Sequence, residues 1–145
     1  MISGMPVKIK NGFTLIELLV VISLIGILST LILANLNSAR ERSRDVSRKS
    51  DLRNIQTALR LYYNDAGGFP VSLPTWGDPW IMGTTTYMNI LPKDPISTQS
   101  YRYTQPGEDT DSYMLEACLE NKSDDKGVFI TDSWCTNSWE YIVKP

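Results

Sequence analysis

The sequence predicts an α+β protein: one long N-terminal helix, apolar in its first half and amphipathic in its second, packed against a small C-terminal antiparallel sheet. Three observations carry that expectation. From Phe13 to Leu36 the chain is dominated by Leu, Ile and Val and holds a single charge, Glu17. No proline occurs between Pro6 and Pro70, so helix-compatible residues run on to about Tyr63 or Asp65. Beyond Gly67 the composition shifts to Pro, Gly, Thr, Trp and Tyr, with short β-prone runs between turn residues.

Residues 1–12 read as a leader too polar to span a membrane, with either Met1 or Met5 as its start. Lys8 and Lys10, just ahead of Gly12, favour retention of this end in the cytoplasm. The apolar run over 13–36 reaches the roughly 20 residues that a bilayer-spanning helix needs. It exceeds the apolar core of a secretory signal, which is about 7–15 residues. A single membrane helix is therefore expected, with everything after Leu36 outside the cytoplasm.

Residues 37–66 continue the helix in two parts. From Arg40 to Asp51 charges fall on every side, with Arg40, Arg42, Arg44, Arg48 and Lys49 interleaved with Glu41, Asp45 and Asp51. This predicts an exposed neck, either solvated or in contact with other copies, in which Asp45 and Lys49 make an i,i+4 pair. Leu52, Ile55, Leu59 and Tyr62 then recur at helical spacing, giving one face on which a head can pack. Gly67-Gly68 supplies the C-terminal cap and Pro70 the stop. At roughly 1.5 Å per residue a helix from Phe13 to Asp65 would measure about 80 Å.

Residues 67–145 form the expected head. Its first part, to residue 100, is punctuated by Pro and Gly and reads as a connecting loop with one helical turn near Tyr87–Leu91. Trp76, Trp80 and Tyr87 argue that this loop is packed down. Strands are expected at Tyr101–Thr104, Ser112–Leu119, 127–131 and 139–143, with a turn at Gln105-Pro106-Gly107-Glu108. In the second strand Tyr113, Leu115, Ala117 and Leu119 share one face, and Met114, Glu116 and Cys118 the other. The four tryptophans and seven tyrosines serve as the core of a small sheet domain rather than as an adhesive surface.

Charge and composition narrow the function. Residues 1–66 carry a formal +4 and residues 67–145 a formal −6. A nucleic-acid binder places a basic face on its globular part, so nucleic acid is not an expected partner. The chain has no histidine, which excludes Ser-His-Asp and Cys-His catalysis and His-ligated zinc. No catalytic residue is assigned.

The residues at the head of the apolar run say more. Lys10-Asn11-Gly12-Phe13-Thr14-Leu15-Ile16-Glu17-Leu18-Leu19-Val20-Val21 resembles the type IV prepilin signature, shared by type IV pilins and the pseudopilins of type II secretion systems. The resemblance covers roughly residues 8–36 and implies the type IV pilin fold for the whole chain. It also implies cleavage after Gly12 by a membrane peptidase that methylates the new N-terminus at Phe13. Glu17, fifth after the cut, corresponds to the glutamate credited with assembly in that family. A carboxylate inside hydrocarbon is expensive and faces a partner rather than lipid. Glu17 is therefore expected to meet the Phe13 amine of an adjacent copy, the alternative being a side chain that reaches out to the headgroups.

The family's implied partners are copies of the chain itself in a helical filament, the prepilin peptidase and methylase, a membrane assembly platform and minor pilins. The implied location is the cytoplasmic membrane before assembly and an extracellular or periplasmic filament after it. Two filaments compete. Leu91-Pro92-Lys93-Asp94-Pro95, Tyr101–Tyr103 and Pro106-Gly107 resemble a segment of the major type II secretion pseudopilin. Ala34, at the place where many pilins carry a helix-breaking proline, points the same way. A cysteine-closed C-terminal loop points instead to a pilin. A reading of a different class, a membrane-tethered extracytoplasmic binding module or enzyme, finds no glycine-rich phosphate loop or acid/base pair to support it.

Cys118 and Cys135 are the only cysteines, and both fall on the expected outer side, where an oxidising compartment favours a disulfide. Two free thiols are the alternative. The family likeness adds a metal: major pseudopilins bind calcium in a loop of this region, and Asp124-Asp125 follows a turn-forming Asn121-Lys122-Ser123. Calcium takes 6–8 oxygen ligands, so these two acids, with Asp132 more remote, compete with a plain reading as solvated turn residues. No other cofactor is expected.

Overall fold

In a computed structural model the described residues are 12–107 and 109–145, side chains at 31, 33 and 34 excepted. The leader expected over 1–12 therefore lies outside the described residues except for Gly12, as do Lys8, Lys10 and Glu108. The described residues divide into two compact units at Asn37 and Ser38. Helix α1, Leu15–Ala66, contributes to both.

The start of α1 follows from Thr14 and Glu17. The Thr14 amide and hydroxyl both donate to Glu17 Oε2 (2.8 and 2.7 Å), and the Glu17 amide donates back to Thr14 Oγ1 (3.4 Å). This is a capping box, which satisfies backbone donors that the first turn leaves unpaired. The end follows from Gly67, whose φ of 74° lies in the left-handed region and whose amide donates to Tyr63 O. Such a residue without a Cβ closes the last turn at no steric cost. Pro70 then prevents continuation.

In the second unit Leu52, Ile55 and Leu59 are fully buried, as their spacing predicts. Each contributes about 1.5–3 kcal/mol by leaving water. They pack with Phe69, Trp80, Leu91, Tyr101, Tyr113, Leu115, Ala117 and Val143. Tyr62 extends the same face by stacking on Trp80 (5.4 Å between centroids) and meeting Tyr87 edge-on.

A two-stranded hairpin, β1 Trp80–Met82 and β2 Thr85–Met88, precedes a four-stranded antiparallel sheet. That sheet comprises β3 Arg102–Thr104, β4 Met114–Cys118, β5 Val128–Phe129 and β6 Trp139–Val143, in the order β3-β4-β6-β5. The register sets Tyr103 opposite Leu115, Leu115 opposite Val143, and Phe129 opposite Trp139. Tyr113, Leu115, Ala117 and Leu119 face the core as the alternation requires. Glu116 and Cys118 on the other face are buried as well. Strand β4 is thus central and covered on both sides.

Two expectations are corrected. The helical turn near Tyr87–Leu91 does not form; Tyr87 belongs to β2. The hairpin turns at Gly83, whose positive φ of 60° suits glycine, and its threonines favour extended backbone. The exposed neck over 40–51 fails at Asp45 and Arg48, which are 2% and 0% exposed. Asp45 pairs with Arg48 rather than Lys49, because loops of the head bring further acids onto this stretch of helix.

Candidate functional site

The N-terminal site is a short carboxylate-bearing cap on an uncovered apolar helix. Phe13 is 84% exposed, and Leu15, Ile16, Leu18, Leu19, Ile22, Leu24, Ile25 and Leu28 are exposed as well. This half of α1 is long and apolar enough to cross a membrane. The structure places Gly12 and Phe13 immediately ahead of the helix and Glu17 in its first turn. Both of the Thr14 bonds fall on Glu17 Oε2. Its other oxygen takes no part in the cap. The chemistry available here is electrostatic: one carboxylate held by its own helix with an oxygen to offer a cation. The Thr14-x-x-Glu17 spacing was the signal for this cap, and the sequence reading missed it.

A second constellation lies in the other unit, where α1 meets the loop closed by Cys118 and Cys135. These two cysteines form a disulfide across 17 residues of sequence. Buried Arg48 donates from Nε and Nη2 to Asp94 (2.8 and 2.9 Å) and from Nη1 to Asp45 and Glu120 (both 2.7 Å). Arg44 donates to both oxygens of Glu120 (2.7 and 2.5 Å). Asp45 in turn accepts the backbone amides of Glu120 and Asn121 (3.0 and 2.8 Å). Burial opposes the Arg48 charge, but its bonds to Asp94, Glu120 and Asp45 outweigh that and raise its pKa. Glu120 is held below the usual carboxylate range, chiefly by Arg44 and then by Arg48. Planar guanidinium forks suit such bidentate pairing. The charge run of 40–51 announced cations, but nothing in it named partners 46 and 72 residues away.

Asp124 and Asp125 occupy the turn after Asn121. Asp124 Oδ2 is ion-paired with Lys49, and Oδ1 accepts the Lys126 amide (3.0 Å). Burial raises the Asp124 carboxyl, but the Lys49 and Lys126 donors prevail and hold it below its ordinary value. Asp125 is exposed. Asp132 is engaged elsewhere, by Arg102 (2.6 Å). Among the described residues no three His, Cys, Asp or Glu side chains converge as a metal site. Asp124 is already paired with an ammonium, and Asp125 is exposed on the same cleft, beside Asp45, Asn121 and Ser123.

The outer face of the sheet holds a further charged group. Arg102 forks onto buried Glu116, opposite it in the β3–β4 register, and lies over the Trp134 ring at 4.6 Å. Glu140, nearby on β6, is buried with its Oε2 lacking a hydrogen-bond partner. Burial, and secondarily Glu116, raise its pKa.

Comparison with known proteins agrees with this geometry. The family described as a prokaryotic N-terminal methylation motif matches residues 8–33. The chain is 31% identical over 108 residues to the type II secretion system core protein G of Vibrio cholerae, covering 68% of this chain and 73% of that protein. Its identity to the protein of the same name is 32% in Pseudomonas aeruginosa, covering 68% of this chain and 75% of that one. In Escherichia coli it is also 32%, covering 68% and 74%. No solved structure matches the chain. Of the two filament readings open at the sequence, the relatives carry the secretion name, although a cysteine-closed loop is present. With a prepilin-type head on an exposed apolar helix, an α+β head beyond it and relatives of this likeness, the chain belongs to the type II secretion system core protein G family, the major pseudopilins.

Proposed function

We propose that the chain is the repeating subunit of a type II secretion pseudopilus, made as a prepilin, cut after Gly12, N-methylated at Phe13 and polymerised through the apolar half of α1. The precursor is anchored in the cytoplasmic membrane by residues 13–36, and the filament is periplasmic. Its partners on this reading are copies of itself, the prepilin peptidase and methylase, the assembly platform and minor subunits.

The observation that carries the reading is the cap at Thr14 and Glu17 on a helix whose apolar side chains are uncovered. Patches of that size on a protein mark contact with a membrane or with another protein. A prepilin helix needs both in succession, lipid first and then its neighbours. Hydrolysis of the Gly12–Phe13 peptide bond frees an amine one helical turn from Glu17. The neighbouring copy's amine is the cation that the spare Glu17 oxygen receives, fixing the axial step of a heterologous, open assembly.

Intact-mass measurement of protein recovered from the native membrane tests this. The expected species lacks Met1–Gly12 and carries one added methyl group on Phe13. A mature protein that retains its leader would overturn the processing step and with it the polymer reading.

A further inference from the structure

We propose that Lys49 supplies the cation that sets the turn at 121–127, so that the disulfide loop of this chain holds its shape without calcium. The inference concerns the head alone and does not rest on the filament reading.

The backbone of the turn closes through Asp124 N–H to Asn121 O and Gly127 N–H to Asp124 O, both 3.2 Å. The Ser123 amide donates to Asn121 Oδ1 and the Lys126 amide to Asp124 Oδ1. One anionic oxygen then remains, Asp124 Oδ2, in a half-buried position. An uncompensated carboxylate there would cost stability. A divalent cation is one remedy, but it demands 6–8 oxygens, and among the described residues no three acids group as a site that could hold a metal ion.

The helix offers another remedy. Lys49 places its ammonium on Asp124 Oδ2, and the same nitrogen lies 5.7 Å from the centre of the Tyr141 ring on β6. One positive charge thus meets one carboxylate and one π face. Asp45, one turn earlier on the helix, accepts the amides of Glu120 and Asn121, and Arg44 grips Glu120. The entry to the loop is therefore held by a helix carboxylate, its turn by a helix ammonium, and its far end by the Cys118–Cys135 bond. A bound ion would have to displace Lys49 from Asp124 Oδ2.

Amide hydrogen exchange and thermal melting of the full-length protein in detergent, in millimolar calcium chloride and in chelator, test the proposal. The expected result is one melting temperature and one set of protection factors over 121–127 in both solutions. In Lys49→Gln the 121–127 amides should exchange roughly tenfold faster, the factor that loss of a hydrogen bond to a charged group supports. Asp124→Asn should reproduce that loosening, and Lys49→Arg should largely avoid it. Calcium that raises the melting temperature of the unaltered protein, or that protects 121–127, would overturn the proposal without recourse to any variant. So would unchanged exchange in both Lys49→Gln and Asp124→Asn.

Discussion

Arg48 is the side chain whose loss the head should tolerate least. Its guanidinium is the common partner of Asp45, Asp94 and Glu120, and it is fully buried. Taking out one member of a buried ionic cluster leaves the others uncompensated, at a cost of about 3–5 kcal/mol. Arg48→Met is therefore expected to lose that much in urea denaturation. Arg48→Lys should fall between, since an ammonium restores the charge but not the two parallel bonds to Asp94. A fully stable Arg48→Met protein would show the cluster to be ornamental. Glu140 predicts the opposite sign. Its folded pKa is raised, first by burial and then by Glu116, so its protonated form favours the fold. That contribution is fully present below the ordinary glutamate range and is lost as pH rises through the elevated folded value. Glu140→Gln should accordingly be more stable than the parent at neutral pH, with the difference shrinking toward pH values below the glutamate range. Denaturation midpoints of the two proteins across pH measure this, and a difference that grows on acidification would contradict it.

Among the elements, the short strand β5 depends on the residue before it. A Cβ built at Gly127 would fall 1.8 Å from Trp139 Nε1 and 2.4 Å from its Cδ1, so the indole ring itself, not a flexible chain end, would have to shift. Gly127→Ala is expected to cost about 1–3 kcal/mol, the range for overpacking, and to shift the Trp139 indole N–H resonance. An unmoved resonance would mean that the loop absorbs the methyl group elsewhere. Strands of this kind were legible where alternation was long. Residues 139–143 were expected as a strand and form β6, and the alternation in 112–119 identified β4 and its core face. The helix was legible from its missing prolines and its terminal glycines. The β1–β2 hairpin was not, because Trp80–Met82 and Thr85–Met88 are too short for a period to emerge, and their pairing depends on packing against Tyr62. The clamp around Arg48 was illegible for a related reason. Local charge pattern reports solvation well, but it carries no record of which distant acids the fold will bring to it.

At the scale of the whole molecule, the chain joins a self-sufficient head to a helix that needs company. The head satisfies its own charges around Arg48 and closes its own loop with a disulfide, while the N-terminal half of α1 leaves Phe13, Leu15, Ile16 and their successors bare. Glu17 lies in the first turn of that bare stretch, and on the proposed function it is the group that meets other copies. Three roles can be separated by two substitutions. If Glu17 only caps its helix through Thr14, glutamine can accept the same two bonds through its amide oxygen, and Glu17→Gln assembles normally. If it merely reaches the headgroups, Glu17→Ala also assembles, and inserts more readily, since an acidic residue in the membrane carries a cost of about 2.5–3.5 kcal/mol at the centre of a spanning helix and less near its end. If it receives the Phe13 amine of a neighbour, neutral side chains fail alike, because what is lost is the charge. We expect the third outcome: Glu17→Ala and Glu17→Gln both enter the membrane and are cleaved, and both are depleted from sheared filaments by at least about tenfold, the equivalent of one charged hydrogen bond per subunit. The measurement is the ratio of filament to membrane protein for each variant, and a Glu17→Gln chain that polymerises like the parent would reduce this carboxylate to a helix cap.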